Sequence, residues 1–239
     1  MDAAPAPTST SRGPAALILL ARLDSRRLPG KGLMDLGGRP VLGRAIDRLR
    51  RCRTVASLIV ATSDRPVDDA LEAFAEAEGV GCFRGDAADV AGRCLAAMQA
   101  AGLDWFVRIC GDSPFADPAI VDAVADAFLA DPALDLATNV FPRGYPIGAS
   151  AEAASRDAMA RICAETDDLA YREHVTAWAY AHPETYAIRN LHPGHDRFAE
   201  LSIAVDTADD LARARRALAA LPDPTTAPLD EIVAAYATE

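Results

Sequence analysis

Lysine is almost absent from this chain. Of its 24 basic residues, 23 are arginine, and Lys31 stands alone. Long apolar runs are missing too. The longest, residues 15–21, is the length of one buried strand and well short of a membrane span. Positive charge is scarce overall, and the net charge of −11 argues against non-specific nucleic-acid binding. The five cysteines are scattered, odd in number and without a CxxC pair, which excludes a zinc knuckle and a disulfide framework and suits buried thiols in a reducing cytoplasm. No GxxxxGK[ST] and no GxGxxG occurs, so neither a P-loop nor a dinucleotide-binding turn is present. Residues 1–13, rich in Ala, Pro, Ser and Thr, lack the basic segment and cleavage site of a secretory leader and are expected to form a disordered tail.

What is present fits a folded enzyme-sized domain. With 51% hydrophobic and 25% charged residues, the chain can bury a core. No repeat or clear linker divides it, so residues 14–239 are expected to form a single domain with an extended substrate-side lobe. Charge is unevenly spread. Residues 22–53 carry ten basic and three acidic side chains, a local net of +7. Arg44, Arg48 and Arg51 have the spacing of a helix's wet face. Arg22, Arg26, Arg27 and Lys31 fall in a stretch with no helical period. An ammonium is a compact point charge with three rotatable donors, suited to a cluster of phosphate oxygens. A lone lysine in an arginine-biased chain marks a place where guanidinium does not serve.

Apolar periodicity predicts strands at 15–21, 55–61, 81–84, 105–110 and 134–138, alternating with helices at 41–51, 68–78, 87–101 and 117–129. Pro118 suits the first turn of the last of these helices. This order implies an α/β fold: a mostly parallel sheet with helices on both faces. Further on, helices are predicted at 155–164, 169–181, 207–221 and 229–237, and strands at 186–191 and 199–205. Ligands of such sheets bind beyond the carboxyl ends of the strands. The segments to inspect are therefore 22–31, 62–64, 84–86 and 111–114. The first offers Arg22, Ser25, Arg26, Arg27, Lys31 and a run of backbone amides, with Gly30 permitting a tight turn.

The segment ALILLARLDSRRLPGKGLMDLGGRPVLGRAIDRL, residues 16–49, resembles the opening of the cytidylyltransferases that activate acidic sugars. It is similar to CMP-Kdo and CMP-sialic acid synthetases, and above all to the spore-coat-polysaccharide cytidylyltransferase-like branch. The resemblance continues in order through ATSD (61–64), FRGD (83–86), GDSP (111–114), REHVT (172–176) and VDT (205–207). It implies the nucleotide-diphospho-sugar transferase-like fold, with a small substrate and dimerisation lobe. It also implies transfer of CMP from CTP to an acidic sugar or related anionic acceptor, such as a phosphorylated or phosphonate compound. Pyrophosphate is released, Mg2+ is the cofactor, and the setting is surface polysaccharide biosynthesis. A cytoplasmic homodimer without nucleic-acid or membrane partners is expected.

Carried over residue by residue, the resemblance gives Arg22, Lys31 and Asp112 catalytic roles. Ala21, Arg22, Lys31, Thr62, Ser63, Asp64, Arg84 and Gly111 would surround the nucleotide, and Asp112 and Asp206 would hold magnesium. Asn139, Glu152, Arg172 and His174 would meet the acceptor. Blander readings stand beside these. Asp112 could cap a turn, Asp206 a helix, and Asn139 a strand end; Arg172 could form a surface ion pair, and His174 could sit at a core edge.

Two departures stand out. Asp24 occupies a position where the family commonly has a small residue, and needs Arg26 or Arg27 to offset its charge beside a triphosphate. In Gly-Ala-Ser-Ala-Glu (148–152), which resembles the family's Gly-Leu-Asp-Val-Glu, Ser150 replaces an acid. These departures leave open a homologue that binds nucleotide without turnover. A sugar-1-phosphate nucleotidylyltransferase would carry a glycine-rich opening turn, and a glycosyltransferase of this fold class an Asp-x-Asp; the chain has neither.

Overall fold

In the computed structural model, which describes residues 12–237, the run Ala-Ala-Leu-Ile-Leu-Leu forms β1 (Ala15–Leu20). Ala16, Leu17, Ile18 and Leu19 are wholly buried. A strand apolar on both sides needs cover on both faces. Leu17 and Leu19 face one core cluster, and Ala16 and Ile18 the other.

The chain then alternates α1 (Val41–Leu49), β2 (Leu58–Ser63), α2 (Asp69–Ala77), β3 (Gly81–Gly85), α3 (Val90–Ala100), β4 (Trp105–Cys110), α4 (Pro118–Leu129) and β5 (Leu136–Thr138). After a long loop come β6 (Glu152–Ser155), α5 (Arg156–Glu165), α6 (Leu169–Glu173), α7 (Ala177–Ala181), β7 (Ile188–Asn190), α8 (Ala208–Ala220) and α9 (Leu229–Ala237). The strands make one seven-stranded sheet in the order β3-β2-β1-β4-β6-β5-β7. Only β6 runs antiparallel to its neighbours. Helices α1, α2 and α4 cover one face, α3, α5 and α7 the other. Helices α8 and α9 close a third cluster around Leu36, Phe115 and Tyr236. No helix among the described residues is long and apolar enough to cross a membrane.

Several expectations need correction. Strand β6 has no apolar signature, because Glu-Ala-Ala-Ser carries no β-branched or aromatic side chain; small alanines suit a slot between two strands and two core clusters. Of the strand expected over 199–205, residues 199–200 lie in a turn and the rest is an extended segment with one isolated bridge, Ile147 to Ser202. The helix expected over 169–181 breaks into α6 and α7 at Val175, whose φ of 56° is unusual for a β-branched residue. Arg48 does not lie on a wet face. It is 2% exposed and donates to the carbonyls of Ala116, Pro224, Thr225 and Ala227. The tail expected over 1–13 lies, up to residue 11, outside the described residues. Arg12 is held by the carbonyls of Asp131 and Leu134 and stacks over Phe128.

Candidate active site

The loop after β1 is tied at both ends. Gly30 N–H donates to the Leu23 carbonyl at 2.7 Å, and Leu23 N–H to buried Asp68 at 2.7 Å. Gly30 sits at φ 76°, a left-handed conformation that turns the chain into a short 3-10 turn starting at Lys31. Lys31 thereby points across the carboxyl end of the sheet. Its Nζ lies 2.6 Å from Asp112 Oδ2 and 2.7 Å from Asp206 Oδ1. Arg27 adds a second cation, 2.9 Å from Asp206 Oδ1.

The two carboxylates arrive from distant parts of the chain. Asp112 follows β4 across Gly111, whose N–H donates to the Leu20 carbonyl at 2.8 Å. A Cβ on Gly111 would lie 2.9 Å from that carbonyl oxygen and 3.0 Å from the Ala21 side chain, so only glycine fits. Asp206 ends the extended segment that replaces the expected strand. Val205 N–H donates to the Asp112 carbonyl at 2.9 Å, and Thr207 N-caps α8 through a capping box with Asp210. Burial alone would lower the Lys31 pKa, but the Asp112 and Asp206 carboxylates outweigh it and raise it. Burial likewise pushes Asp206 up, while Lys31 and Arg27 hold it below the usual carboxylate range.

Beyond β2, Thr62 and Ser63 are wholly buried and Asp64 is exposed. Ser63 Oγ donates to Asp68, whereas Thr62 Oγ1 is buried without a hydrogen-bond partner. Arg84 holds this corner together. It donates to the Ser63 and Arg65 carbonyls and pairs with Asp69 and Glu72, so its guanidinium is already engaged. Asp24 is offset by Arg65 and Arg22, not by Arg26 or Arg27 as expected. Arg22 reaches away from the Lys31 cluster, to the Ala87 carbonyl at 3.1 Å and Glu173 at 3.3 Å.

The expected acceptor residues separate. Arg172 is a clamp: it pairs with Asp89, the N-cap of α3, and donates to the Thr166 and Cys163 carbonyls. Asn139, wholly buried, ties the loop before β6 through Ala149 O and Ala151 N. His174 is exposed on the turn between α6 and α7. Glu152 is 1% exposed and engaged on both oxygens, one by Arg108 and the other by Thr176 and Tyr180. Sequence reasoning missed Arg108 and Arg143, which lie near Glu152 on this side of the sheet. A charged residue inside the apolar strand Trp-Phe-Val-Arg-Ile-Cys was the available signal for the first.

Asp112 and Asp206 could hold a hard divalent cation. Both donors are carboxylate oxygens, and a cationic nitrogen already stands between them, so the donor set fits magnesium completed by phosphate and water. Among the described residues no group of three or more His, Cys, Asp or Glu could hold a metal without such help. The hollow lined by Ser57, Ile59, Gly81 and Leu103 opens at the amino ends of the strands, opposite this site.

A mostly parallel sheet with paired carboxylates and a lysine at its carboxyl edge defines a nucleotidyltransferase-type fold. A solved cytidylyltransferase from Leptospira borgpetersenii superposes with a TM-score of 0.87 at 25% identity, over 92% of each chain. The spore coat polysaccharide biosynthesis protein SpsF of Bacillus subtilis is 32% identical over 201 residues, 81% of each chain. A 3-deoxy-manno-octulosonate cytidylyltransferase from Anaeromyxobacter sp. is 30% identical over 239 residues, covering 86% of this chain and 98% of its own. The cytidylyltransferase family profile matches residues 16–222, and the chain belongs to that family.

Proposed function

We propose that this chain transfers CMP from CTP to a small anionic acceptor, in a magnesium-dependent reaction that releases pyrophosphate. The observation that carries this reading is one ammonium, Lys31, shared by Asp112 and Asp206 at the carboxyl edge of the sheet. Such an arrangement is built to exchange counter-charges. When a triphosphate enters, the three donors of Lys31 turn from carboxylate to phosphate oxygens, Arg27 flanks them, and Arg22 joins them by exchanging Glu173 for phosphate. Magnesium held by Asp112 and Asp206 would supply further neutralisation of phosphate charge. An acceptor oxygen attacks the α-phosphorus in line. The bond to the β-phosphate breaks, pyrophosphate leaves with the electron pair, and any acceptor proton passes to water. This chemistry rests on positioning and electrostatic stabilisation.

Ala21 and Gly111 border the nucleotide at the ends of β1 and β4, and the pyrimidine lies near Thr62, Ser63 and Asp64. The unpartnered Thr62 hydroxyl supports that placement. The acceptor binds on the Glu152 side, where His174 is exposed. Surface polysaccharide biosynthesis, a cytoplasmic location and a homodimer complete the reading, all three supported by family resemblance.

The test is pyrophosphate release from CTP, ATP, GTP and UTP with magnesium, against a panel of acidic sugars and phosphonates. CTP with at least one acceptor is expected to react, and Asp112→Asn and Asp206→Asn to abolish turnover while keeping the fold. Equal turnover of all four nucleotides, or full activity in either variant at limiting magnesium, would refute the assignment.

A further inference from the structure

Ser150 stands where the resembling family carries an acid, and its Oγ is 3.1 Å from Arg143 Nη1. Among the described residues, the other hydrogen-bond acceptor of that guanidinium is the Pro146 carbonyl, at 3.5 Å. Among the described residues no carboxylate forms an ion pair with Arg143. An aspartate at 150 would do so; serine cannot.

The neighbours do not make up the deficit. Arg108, projecting from β4, is paired with Glu152, and its Nη2 lies 3.2 Å from Cys110 Sγ. Its Nε is buried with no acceptor. Both oxygens of Glu152 are already taken by Arg108, Thr176 and Tyr180. Two guanidinium groups thus share the field of one carboxylate. Burial and the charge of Arg108 both lower the pKa of Arg143, while Glu152 opposes them.

The position is telling. The β4–β6 ladder ends at Arg108 opposite Glu152, and Ser150 lies two residues beyond it, toward the end of β4 where Asp112 sits. Arg143 and Ser150 are both part-exposed, so a solute can reach them. In the cytidylyltransferase reading, the acceptor approaches the α-phosphorus from this end of β4.

We propose that Arg143, freed of a carboxylate partner by Ser150 and set near Arg108, binds a phosphoryl or phosphonyl dianion on the acceptor. The acceptor then carries one negative charge more than a simple carboxylate sugar. This inference rests on the cytidylyltransferase reading.

The test fills the nucleotide site first, so that the probe cannot occupy the triphosphate position. Wild type, Ser150→Asn, Ser150→Asp and Arg143→Gln are saturated with magnesium and α,β-methylene-CTP. Each is then titrated calorimetrically with methylphosphonate, at alkaline pH where it is a dianion, and with acetate. Wild type should bind methylphosphonate more tightly than acetate. Ser150→Asp should bind it at least about tenfold more weakly than the size-matched Ser150→Asn, and Arg143→Gln should show a similar loss. Equal affinity for the two probes in wild type, or equal affinity of the Asp and Asn variants for methylphosphonate, overturns the inference while leaving the nucleotide reading standing. If the CTP analogue itself fails to bind wild type, the cytidylyltransferase reading falls and takes this one with it. Thermal melts of each variant separate loss of binding from loss of fold.

Discussion

The backbone N–H of Val205 donates to the carbonyl of Asp112 at 2.9 Å. That bond joins the end of β4 to a segment far along the chain and brings the next residue, Asp206, beside Asp112. Two carboxylates held this close repel each other, and the chain offsets them with an ammonium that both contact. Without a nucleotide, the site therefore holds its own stand-in for the incoming cation.

Removing that ammonium should affect catalysis and metal binding in opposite directions. Lys31→Ala is expected to lower kcat/KM for CTP at least about a hundredfold, roughly 2.7 kcal/mol of transition-state stabilisation. Magnesium should bind the nucleotide-free variant more tightly than wild type, because no ammonium competes for Asp112 and Asp206. Lys31→Arg should recover little activity, since a planar fork cannot reproduce three converging donors in a site where Lys31 is 13% exposed. Steady-state kinetics with CTP varied, together with magnesium titrations, provide the measurement. Near-normal kinetics in the arginine variant would show that any cation serves.

Acid stability should depend on Asp206. Its folded-state pKa is depressed by Lys31 and Arg27 in spite of burial. A depressed carboxyl contributes stability that is fully present above its unfolded value and is lost as pH falls through the folded one. Lys31 has the opposite sign. Its raised pKa contributes stability below the unfolded lysine value, and this is lost as pH rises through the raised one. Urea unfolding across pH should therefore show an acid limb that is shallower in Asp206→Asn. An unchanged acid limb would mean that the pair contributes nothing to the fold.

Much of this architecture could be read from local pattern. The apolar runs of β1, β2 and β4 are short and bounded by turn residues, and the loop from Arg22 to Lys31 carries an unusual charge density. Glu152–Ser155 escaped because its place in the sheet depends on the slot between β4 and β5, not on its own β-propensity. Arg48 and Arg172 misled for a related reason. A charged side chain looks solvated or functional until the carbonyls it satisfies are known, and those lie far away in sequence. The convergence of Lys31 with Asp112 and Asp206 was accessible only through family resemblance, because nothing local to Asp206 distinguishes a metal ligand from a helix cap.

Arg48 should prove structural. Arg48→Met keeps the length and apolar stem but leaves the carbonyls of Ala116, Pro224, Thr225 and Ala227 short of a donor. A loss of about 3 kcal/mol or more is expected, since each unsatisfied buried group costs about 1–3 kcal/mol. CTP affinity of the folded fraction should be unchanged. A variant as stable as wild type would show that water or rearrangement satisfies those carbonyls.

Thr62 offers the sharpest test of nucleotide recognition, because stability and binding should move in opposite directions. Its Oγ1 is buried and unpartnered, so the nucleotide-free fold bears the desolvation cost without a compensating bond. Thr62→Val is close in shape and removes the hydroxyl. The nucleotide-free protein should gain up to about 1 kcal/mol, read as a higher melting temperature. If the hydroxyl meets the cytosine ring or its ribose, magnesium CTP should stabilise the variant less than wild type, where a hundredfold excess over Kd adds about 2.7 kcal/mol. In wild type, CTP should also raise the melting temperature more than ATP, GTP or UTP. Thermal melts with each nucleotide provide both comparisons. A variant that is more stable when empty and responds to CTP just as wild type does would show that Thr62 Oγ1 faces protein alone, and would remove the pyrimidine from this end of β2.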